Sequence, residues 1–440
     1  MSGLAVVTAA RRYRALIASP GVARVALPSL IGRLPYGMAT LVFILAVQHG
    51  TGSYAVAGIA TGAHSAITAF TSPWLGRLCD RGHAVAVLRV TGVLYALLLS
   101  GMVAALWTHQ PVALIVGLAA LAGAANPPVG AVTRVVLPGL APAHVQTAYA
   151  FDAITVELTY VLGPMLIALV TAATNPYVAV IVTALLATAG SVGLAAAPGL
   201  TARYREVRTA ALARAATASD GVKTSAAALK RALRANRLMR LSMVVVLIVG
   251  ALEAAAYGVM EVAIPKYAAD LGAPQAAGAV VAAWSAGSIL GGVWFSGMNP
   301  KLSQPKLFAL LLCLNTVGFA AMLLAFGLPS LALILFLGGM VISPTTAVEC
   351  ALVTRIAPAG RSTEAFTWVG TGIYVGFAAG SSISGLIINQ GTSLSVVILI
   401  ATAMVATGAL LALTASRRIA TDAAANPDPT TLPTPAPTAH

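Results

Sequence analysis

Acidic residues interrupt a stretch of the sequence that otherwise has the character of a membrane-spanning helix. Between Gln146 and Pro164 the apolar pattern is broken by Asp152 and Glu157. If the helix enters the membrane near Thr147, Glu157 lies about 15 Å deep, in the middle of a hydrocarbon layer about 30 Å thick. A carboxylate at this depth is costly and usually faces a bundle interior or a water-filled path. The pattern fits either a proton or substrate site or a structural ion pair between helices.

Arg33 lies about 18 Å into the first predicted span, at the depth of Glu157. A pair between them would neutralise two charges that neither helix carries easily alone. We therefore predict that Glu157 is a proton-coupling acid and that Arg33 is its partner in one state. Asp152 lies only about 7 Å in, within reach of Arg134 near the end of the fourth span, so a structural pair is the expected role there.

Two further ionisable side chains near mid-membrane depth are secondary proton or cavity candidates, together with Asp152. His64 lies near the middle of the second span, where a lone histidine serves either as a hydrogen bonder between helices or as a proton relay. Glu253 lies about 18 Å into the seventh span. Aromatic side chains at similar positions would suit an amphiphilic or aromatic substrate, although aromatic residues also serve routine packing. They are Tyr36, Tyr160, Tyr257 and Trp368.

The composition indicates that these residues belong to a polytopic membrane protein. The chain has 440 residues, of which 59% are hydrophobic and 9% are charged, and its mean hydropathy is +0.90. Soluble domains carry roughly 25% charged residues. About twelve helices of about twenty residues would use most of the length. The expected fold is all-α, with twelve transmembrane helices in two pseudo-symmetric six-helix bundles.

Five segments are predicted along the chain. Residues 1–20 form an N-terminal cytoplasmic segment, and residues 21–198 form the first bundle, with spans near 21–47, 53–75, 84–107, 111–137, 147–172 and 177–197. Residues 199–240 form a basic linker, in which Leu229 to Arg240 should lie on the inner membrane surface as an amphipathic helix. Residues 241–415 form the second bundle, with spans near 241–264, 274–297, 307–326, 330–353, 365–388 and 393–414. The Pro/Thr-rich tail, 416–440, should be disordered and cytoplasmic.

The positive charge of the chain is an orientation signal. The formal net charge is +14. Apart from Arg33 and Lys266, the lysines and arginines fall in the two ends, the central linker and alternate loops. This distribution predicts a multi-pass protein of the cytoplasmic membrane with both termini inside. The basic side should face the anionic lipids of the inner leaflet, so nucleic acid is excluded as a partner. We expect a monomer.

The two halves of the sequence resemble each other. Pro128 matches Pro344, and Ala141 matches Ala357, each 216 positions later. A second set recurs 220 positions later: Ala57, Ser65 and Trp74 match Ala277, Ser285 and Trp294. Two sets at nearly equal offsets indicate an internal repeat. Two parallel six-helix halves with the substrate path between them are a transporter architecture.

A loop motif makes the resemblance to a known family specific. Gly76-Arg77-Leu78-Cys79-Asp80-Arg81-Gly82-His83 joins the second and third spans. It is similar to the loop signature of the major facilitator superfamily at Gly76, Leu78, Asp80, Arg81 and Gly82. The loop is one residue shorter before its glycine, and His83 stands where a cation is usual. Glycine lets two helices meet closely, and an aspartate can cap the N-terminus of a neighbouring helix. We predict that Gly76, Asp80, Arg81 and Gly82 form a gating loop.

Gly163-Pro164 resembles the Gly-Pro signature of the drug–proton antiporter branch of that superfamily, although no second glycine pair follows. Proline removes one helical hydrogen bond, so a bend is expected there. Together with Gly32-Arg33-Leu34-Pro35 and the segment from Thr363 to Trp368, the pattern is similar to that of exporters from high-GC bacteria. The resemblance extends from about Val22 to Thr414.

This resemblance implies a secondary transporter that moves a small, amphiphilic molecule across the membrane by alternating access, in exchange for protons. An importer or symporter on the same scaffold, and a receptor or assembly factor that does not transport, stay open. No catalytic cluster, Walker-type phosphate loop or metal-ligand group occurs in the sequence, so no enzymatic activity, cofactor or metal is expected. The cysteines Cys79, Cys313 and Cys350 form no metal or disulfide pattern.

Overall fold

The chain folds into two bundles of six membrane-spanning helices, as predicted. The computed structural model describes residues 3–197, 199–206, 209, 238–273 and 276–424, and these residues contain helices and no strand. Eleven described helical segments are long and apolar enough to cross a membrane. One of them, Tyr54–Trp107, has 54 residues and covers two spans that meet at Gly82, whose φ of 95° breaks the helix. The fold therefore has twelve spans.

The spans are numbered in chain order. Spans 1–6 are Val22–Thr51, Tyr54–Leu78, Ala84–Trp107, the pair Val112–Ala124 and Val129–Leu140, Val145–Ala173, and Pro176–Ala195. Spans 7–12 are Leu241–Asp270, Ala277–Ser296, Gln304–Ala321, the pair Leu328–Gly339 and Ile342–Ile356, Ser362–Asn389, and Leu394–Ala424. Spans 4 and 10 are each broken in two, just before Pro128 and Pro344 respectively. Because proline lacks an amide hydrogen, both breaks fall at the matched prolines of the internal repeat.

Small residues allow the helices of each bundle to cross closely. A Cβ atom on Gly163 of span 5 would lie 2.9 Å from the carbonyl carbon of Gly37 on span 1. A Cβ on Gly32 of span 1 would lie 3.1 Å from the Cα of Gly190 on span 6. Such contacts are the usual basis of helix association within a bilayer, where apolar burial alone gives no advantage. They hold span 1 against spans 5 and 6.

One large apolar cluster joins the two bundles at a single end of the molecule. It combines Leu88, Val136 and Tyr149 of the first bundle with Leu352 and Phe366 of the second. This end also carries the Gly76–His83 loop and the turn before span 11, and we call it the basic end. The other two clusters each belong to one bundle. The described apolar packing between the bundles is therefore concentrated at the basic end.

The segments outside the two bundles depart in part from the predictions. Residues 3–18 form an N-terminal helix, in which Arg12 donates hydrogen bonds to the carbonyl oxygens of Ser296 (2.7 Å) and Met298 (3.1 Å) at the end of span 8. The tail is not disordered from residue 416, since span 12 continues to Ala424. Asp422 accepts a hydrogen bond from Ser242 at 2.5 Å, and this contact holds the added turns against span 7. The predicted linker helix and the tail beyond residue 424 lie outside the described residues.

Candidate functional site

A buried ion triad joins three spans of the first bundle. Asp152 of span 5 lies 2.5 Å from Nη2 of Arg33 on span 1 and 2.8 Å from Nε of Arg134 on span 4. Arg33 also donates to the carbonyl oxygen of Gly130 at 3.2 Å. Arg33 and Asp152 are each only 2% exposed. Two guanidinium groups around one carboxylate leave the triad with a net charge of +1.

The predicted pair between Arg33 and Glu157 is therefore wrong for this structure, whereas the predicted contact between Asp152 and Arg134 is present. Depth along the helix suggested Glu157, but five residues rotate a helix by about 500°, which places the two acids about 140° apart. The face with Asp152 turns towards spans 1 and 4. The face with Glu157 turns away from Arg33 towards the second bundle.

Glu157 links the two bundles through hydroxyl groups. Ser288 of span 8 donates a hydrogen bond to Oε1 of Glu157 at 2.9 Å, and Ser288 and Ser343 of span 10 lie 2.8 Å apart. Because the hydroxyl hydrogen of Ser288 is used in the hydrogen bond to Glu157, Ser343 is the donor in the second bond. Among the described residues, no lysine, arginine or histidine lies within ion-pair distance of Glu157.

Glu253 belongs to a polar cluster within the second bundle. Its Oε1 accepts hydrogen bonds from Asn315 of span 9 at 2.7 Å and from Tyr257 at 3.1 Å. The ring of Tyr257 packs against those of Trp284 and Phe319, with centroids 5.5 and 5.9 Å away. The sequence analysis did not single out Asn315, Trp284 or Phe319, because nothing in their spacing links them to Glu253. Of the three, Asn315 is the one that the sequence could have indicated, because an amide side chain inside an apolar span needs a polar partner.

His64 packs inside the first bundle, away from the contact between the bundles. Its ring lies 4.8 Å from that of Phe43, and its Nε2 is 3.4 Å from the hydroxyl oxygen of Tyr95 on span 3. The side chain is 5% exposed. This environment matches the role of hydrogen bonder between helices, and the relay role has no chain of polar groups around it in the described contacts.

The four aromatic candidates occupy different environments. The hydroxyl of Tyr36 donates to the carbonyl oxygen of Pro127 at 2.7 Å. Nε1 of Trp368 is buried and has no hydrogen-bond partner within the described part of the chain. Tyr160 is 50% exposed and lies one turn from Glu157. Tyr374 of span 11, which the sequence analysis did not select, is close enough to Tyr160 and Tyr36 for electrostatic interaction. Tyr257 belongs to the Glu253 cluster instead.

Gly163 and Pro164 lie within span 5, which stays helical from Val145 to Ala173. Gly163 has an observed use, because its missing side chain lets span 5 approach the backbone of Gly37. The predicted bend at Pro164 remains a prediction.

The Gly76–His83 loop closes on the first turn of span 11. Asp80 accepts hydrogen bonds from the backbone amides of Thr363 (3.0 Å) and Glu364 (2.9 Å). These amides lie at the N-terminus of the helix, where backbone N–H groups lack partners and a negative charge is favoured. Burial raises the pKa of Asp80 to about 7, and the two amide hydrogen bonds oppose that rise. Gly76 lets the loop approach, since a Cβ there would lie 2.9 Å from the Cα of Glu364.

Ion pairs reinforce the same contact. Glu364 forms ion pairs with Arg77 of the Gly76–His83 loop at 2.6 Å and with Arg361, which directly precedes span 11, at 2.8 Å. Glu364 is 1% exposed, whereas Arg77 is 41% exposed. A cavity of ≈ 400 Å³ opens beside the contact and is lined by Arg77, Asp80, Arg81, Gly360, Arg361 and Glu364. The loop, with its partners on span 11, therefore forms a latch between the bundles, and we call it the loop latch.

Comparison with known proteins identifies the family. The family model described as the Major Facilitator Superfamily matches residues 29–260 and again residues 246–438, once for each bundle. The chain belongs to the Major Facilitator Superfamily. It is a transporter rather than an enzyme. A search of curated proteins gave no match for this sequence.

Solved structures of other transporters share the fold of this superfamily member. A bacterial homologue of the iron transporter ferroportin, crystallised in an outward-facing state, is similar with a TM-score of 0.68 and 16% identity over 90% of this chain and 100% of that chain. The proton:xylose symporter XylE, bound to 6-bromo-6-deoxy-D-glucose, is similar with a TM-score of 0.61 and 13% identity over 90% of this chain and 96% of that chain. At these identities the likeness concerns the fold alone.

The described residues of this superfamily member contain no group of three or more histidine, cysteine, aspartate or glutamate side chains that could hold a metal ion. The polar groups that face the contact between the bundles are therefore the acids with their hydroxyl, amide and guanidinium partners.

Proposed function

We propose that this protein exports a small, amphiphilic molecule across the cytoplasmic membrane by alternating access, in exchange for protons, with Glu157 as the coupling acid. The observation that carries the proposal is the position of Glu157. It is an acid at the contact between the bundles, its described hydrogen-bond partner is a serine of the opposite bundle, and no described cation pairs with it.

This position would make the state of Glu157 depend on the arrangement of the bundles. In the present arrangement the side chain of Glu157 is partly buried and accepts a hydrogen bond from Ser288, whose hydroxyl also bonds to that of Ser343. If the bundles move apart, both serines leave with the second bundle and water reaches Glu157. A carboxyl group binds its proton more tightly when it is shielded than when it is hydrated. Proton binding would then favour one arrangement and substrate binding the other, which is the coupling that an antiporter needs.

Orientation follows from the positive-inside rule. We infer that the basic end is cytoplasmic, because the loop latch, the N-terminal helix and the turn at Arg361 carry its cations. The hydrogen bonds between the bundles run from this end to the level of Glu157 and Thr371. The arrangement described here would accordingly be closed to the cytoplasm.

The substrate class rests on the aromatic side chains near Glu157. Tyr160 is half exposed beside it, and Tyr36 and Tyr374 are within electrostatic range of Tyr160. Aromatic rings with polar tips suit a molecule that has both apolar and polar parts. An importer with the same coupling acid is the main alternative.

The test is transport in proteoliposomes with an imposed proton gradient, in which a panel of amphiphilic compounds is screened with the wild type and then with Glu157→Gln. We expect the wild type to concentrate its substrate against a gradient and Glu157→Gln to retain at most substrate exchange. Asp270→Asn is the matched control, since Asp270 is exposed at the end of span 7 and pairs with Lys266. The sign of the gradient that drives accumulation separates export from import.

Two results would contradict the proposal. Active accumulation by Glu157→Gln with an unaltered pH dependence would make Glu157 structural, and Glu253 or His64 would become the leading acid or relay. Absence of transport for every compound, together with an unchanged phenotype of cells that carry Glu157→Gln, would favour a receptor or assembly role.

A further inference from the structure

Glu349 is a buried acid that the proposed coupling mechanism does not use. It lies in the second part of span 10, two turns before the basic end, and is 6% exposed. Its Oε1 is buried and has no hydrogen-bond partner among the residues that the structure describes. Buried polar atoms of proteins are almost always paired, so this atom requires an explanation.

The surroundings of Glu349 offer no close cation. Its Oε1 packs against the backbone of span 7, where a Cβ on Gly250 would lie 2.8 Å away. The charged neighbours with which it interacts are Glu253, one turn further along span 7, and Arg134 on span 4. Arg134 is bound to Asp152 at 2.8 Å, and no ion pair within 4.0 Å joins Arg134 to Glu349 in the described residues.

The other helices packed against this part of span 10 do not supply a partner either. Span 8 carries no acidic or basic residue, and span 5 contributes Asp152, already in the triad, and Glu157, bonded to Ser288. In spans 9, 11 and 12 the acidic and basic residues lie in the turns nearest the basic end. These are Lys306, Glu364, Arg417, Arg418 and Asp422.

An ionised carboxylate in this position would be strongly disfavoured. A buried charge without a close partner or a hydrogen-bond donor is far more costly than an unpaired neutral oxygen. Arg134 attracts the charge from a distance, but it is partly exposed and is already matched with Asp152. The neutral acid is therefore the favoured form of Glu349 while the bundles are in contact.

We propose that Glu349 is a second proton-binding site, which holds its proton while the basic end is closed and releases it to water on that side when the bundles separate. The ligand is a proton, the bond broken is the O–H bond of the carboxyl group, and the acceptor is water that enters between the bundles. The site has no counterpart in the first bundle, where the position 216 residues earlier is Thr133. This second proton site is distinct from the proposed coupling acid Glu157, and each acid can be tested with its own variant.

The first experiment detects the proton directly. Infrared spectra of the full-length protein in lipid nanodiscs, recorded from mildly acidic to mildly alkaline pH, report the carbonyl stretch of protonated carboxyl groups. We expect Glu349→Gln to lack one component of this band at neutral pH, whereas Asp270→Asn, a control at an exposed ion pair, should leave the buried components unchanged. Glu157→Gln is measured alongside, so that its component is assigned independently. A band in Glu349→Gln identical to that of the wild type would overturn the proposal.

The second experiment measures the coupling to opening. Spin labels at the basic ends of spans 2 and 11, in a background without the three native cysteines, report the ratio of open to closed molecules. Each proton released on opening raises this ratio up to about tenfold per pH unit. We expect the ratio in Glu349→Gln to change less steeply with pH, by a factor of up to about ten per pH unit, because one proton fewer is released. Asp80 is unchanged in both proteins, so its contribution cancels in the comparison.

The thermal stability of the same variant distinguishes a proton site from a structural ion pair. Glutamine resembles the neutral acid in shape and charge, so we expect Glu349→Gln to melt at or above the wild-type temperature. A clear loss of stability, together with an unchanged slope, would show that Glu349 is the ionised partner of Arg134 and would overturn the proposal.

Discussion

At the residue scale, the ion triad and Glu157 show that neighbouring acids on one helix perform different tasks. Asp152 is surrounded by Arg33 and Arg134, and the three charges hold spans 1, 4 and 5 together. Glu157 has hydroxyl partners on the opposite bundle instead. A carboxylate locked between two guanidinium groups is a poor proton carrier, because its charged form is strongly stabilised. The contacts of the triad therefore fit a structural role, whereas the proposed proton exchange needs an acid without a close cation.

The triad makes a stability prediction. Asp152→Asn leaves two buried guanidinium groups without their shared counter-ion, and breaking a buried pair in this way costs about 3–5 kcal/mol. We expect a clear drop in the melting temperature of the purified protein. Asp270→Asn is the control, since the pair of Asp270 with Lys266 is half exposed and such pairs contribute about 0–1 kcal/mol. Equal melting temperatures for the two variants would contradict a structural role for the triad.

At the element scale, the loop latch connects a short loop of the first bundle to the N-terminus of span 11. The connection uses both oxygens of Asp80, and each accepts one backbone amide. Such a contact can exist only while the two bundles meet at the basic end. If the bundles alternate between two arrangements, the contact would stabilise the one described here and contribute nothing to the other.

Asp80→Asn tests this function of the latch. An amide nitrogen cannot accept a hydrogen bond, so the variant loses at least one of the two contacts and the charge at the helix N-terminus. We expect distances between spin labels at the basic ends of spans 2 and 11 to shift towards the open population, with slower turnover and no loss of folding. His83→Asn, on the exposed side of the same loop, should leave the distribution unchanged. An unaltered distribution and normal transport in Asp80→Asn would argue against the latch.

At the scale of the whole molecule, two bundles of the same design meet through an apolar cluster and the latch at the basic end. Breaks in spans 4 and 10 at matched prolines show that the internal repeat extends to the irregularities of the helices. The charges do not repeat. Arg33 of span 1 corresponds, 220 positions later, to Glu253 of span 7. Where the first bundle holds a net positive triad, the second thus holds Glu253 with its partners Asn315 and Tyr257.

The orientation of the molecule gives the last prediction. Single cysteines at Gln110, Thr174 and Gln390, in a background without native cysteines, lie in exposed loops opposite the basic end. We expect an impermeant thiol reagent added to intact cells to label these sites. Cysteines at His83 and Lys301 should react only after the membrane is made permeable. The reverse pattern would invert the orientation and place the basic end outside.

The sequence by itself determined the class of the protein, its twelve spans and the family resemblance. These properties depend on composition, on the length of apolar segments and on local motifs. Each of them can be judged segment by segment, because every span must be long and apolar enough to cross the bilayer by itself. The loop motif even indicated the kind of contact that Asp80 makes, because an aspartate can cap the positive N-terminus of a neighbouring helix. The end of span 12 was misplaced, since Asp422 is held by Ser242 from a helix 180 positions away.

Only the tertiary structure decided which charges pair. Depth along a helix is readable from the sequence, but the direction in which a side chain points depends on how each helix is rotated against its neighbours. That rotation is set by close contacts such as Gly37 with Gly163, between residues far apart in the chain. For this reason Arg33 could be placed at the depth of Glu157 and yet bind Asp152. For the same reason the unpaired oxygen of Glu349 became visible only when span 10 was packed against span 7.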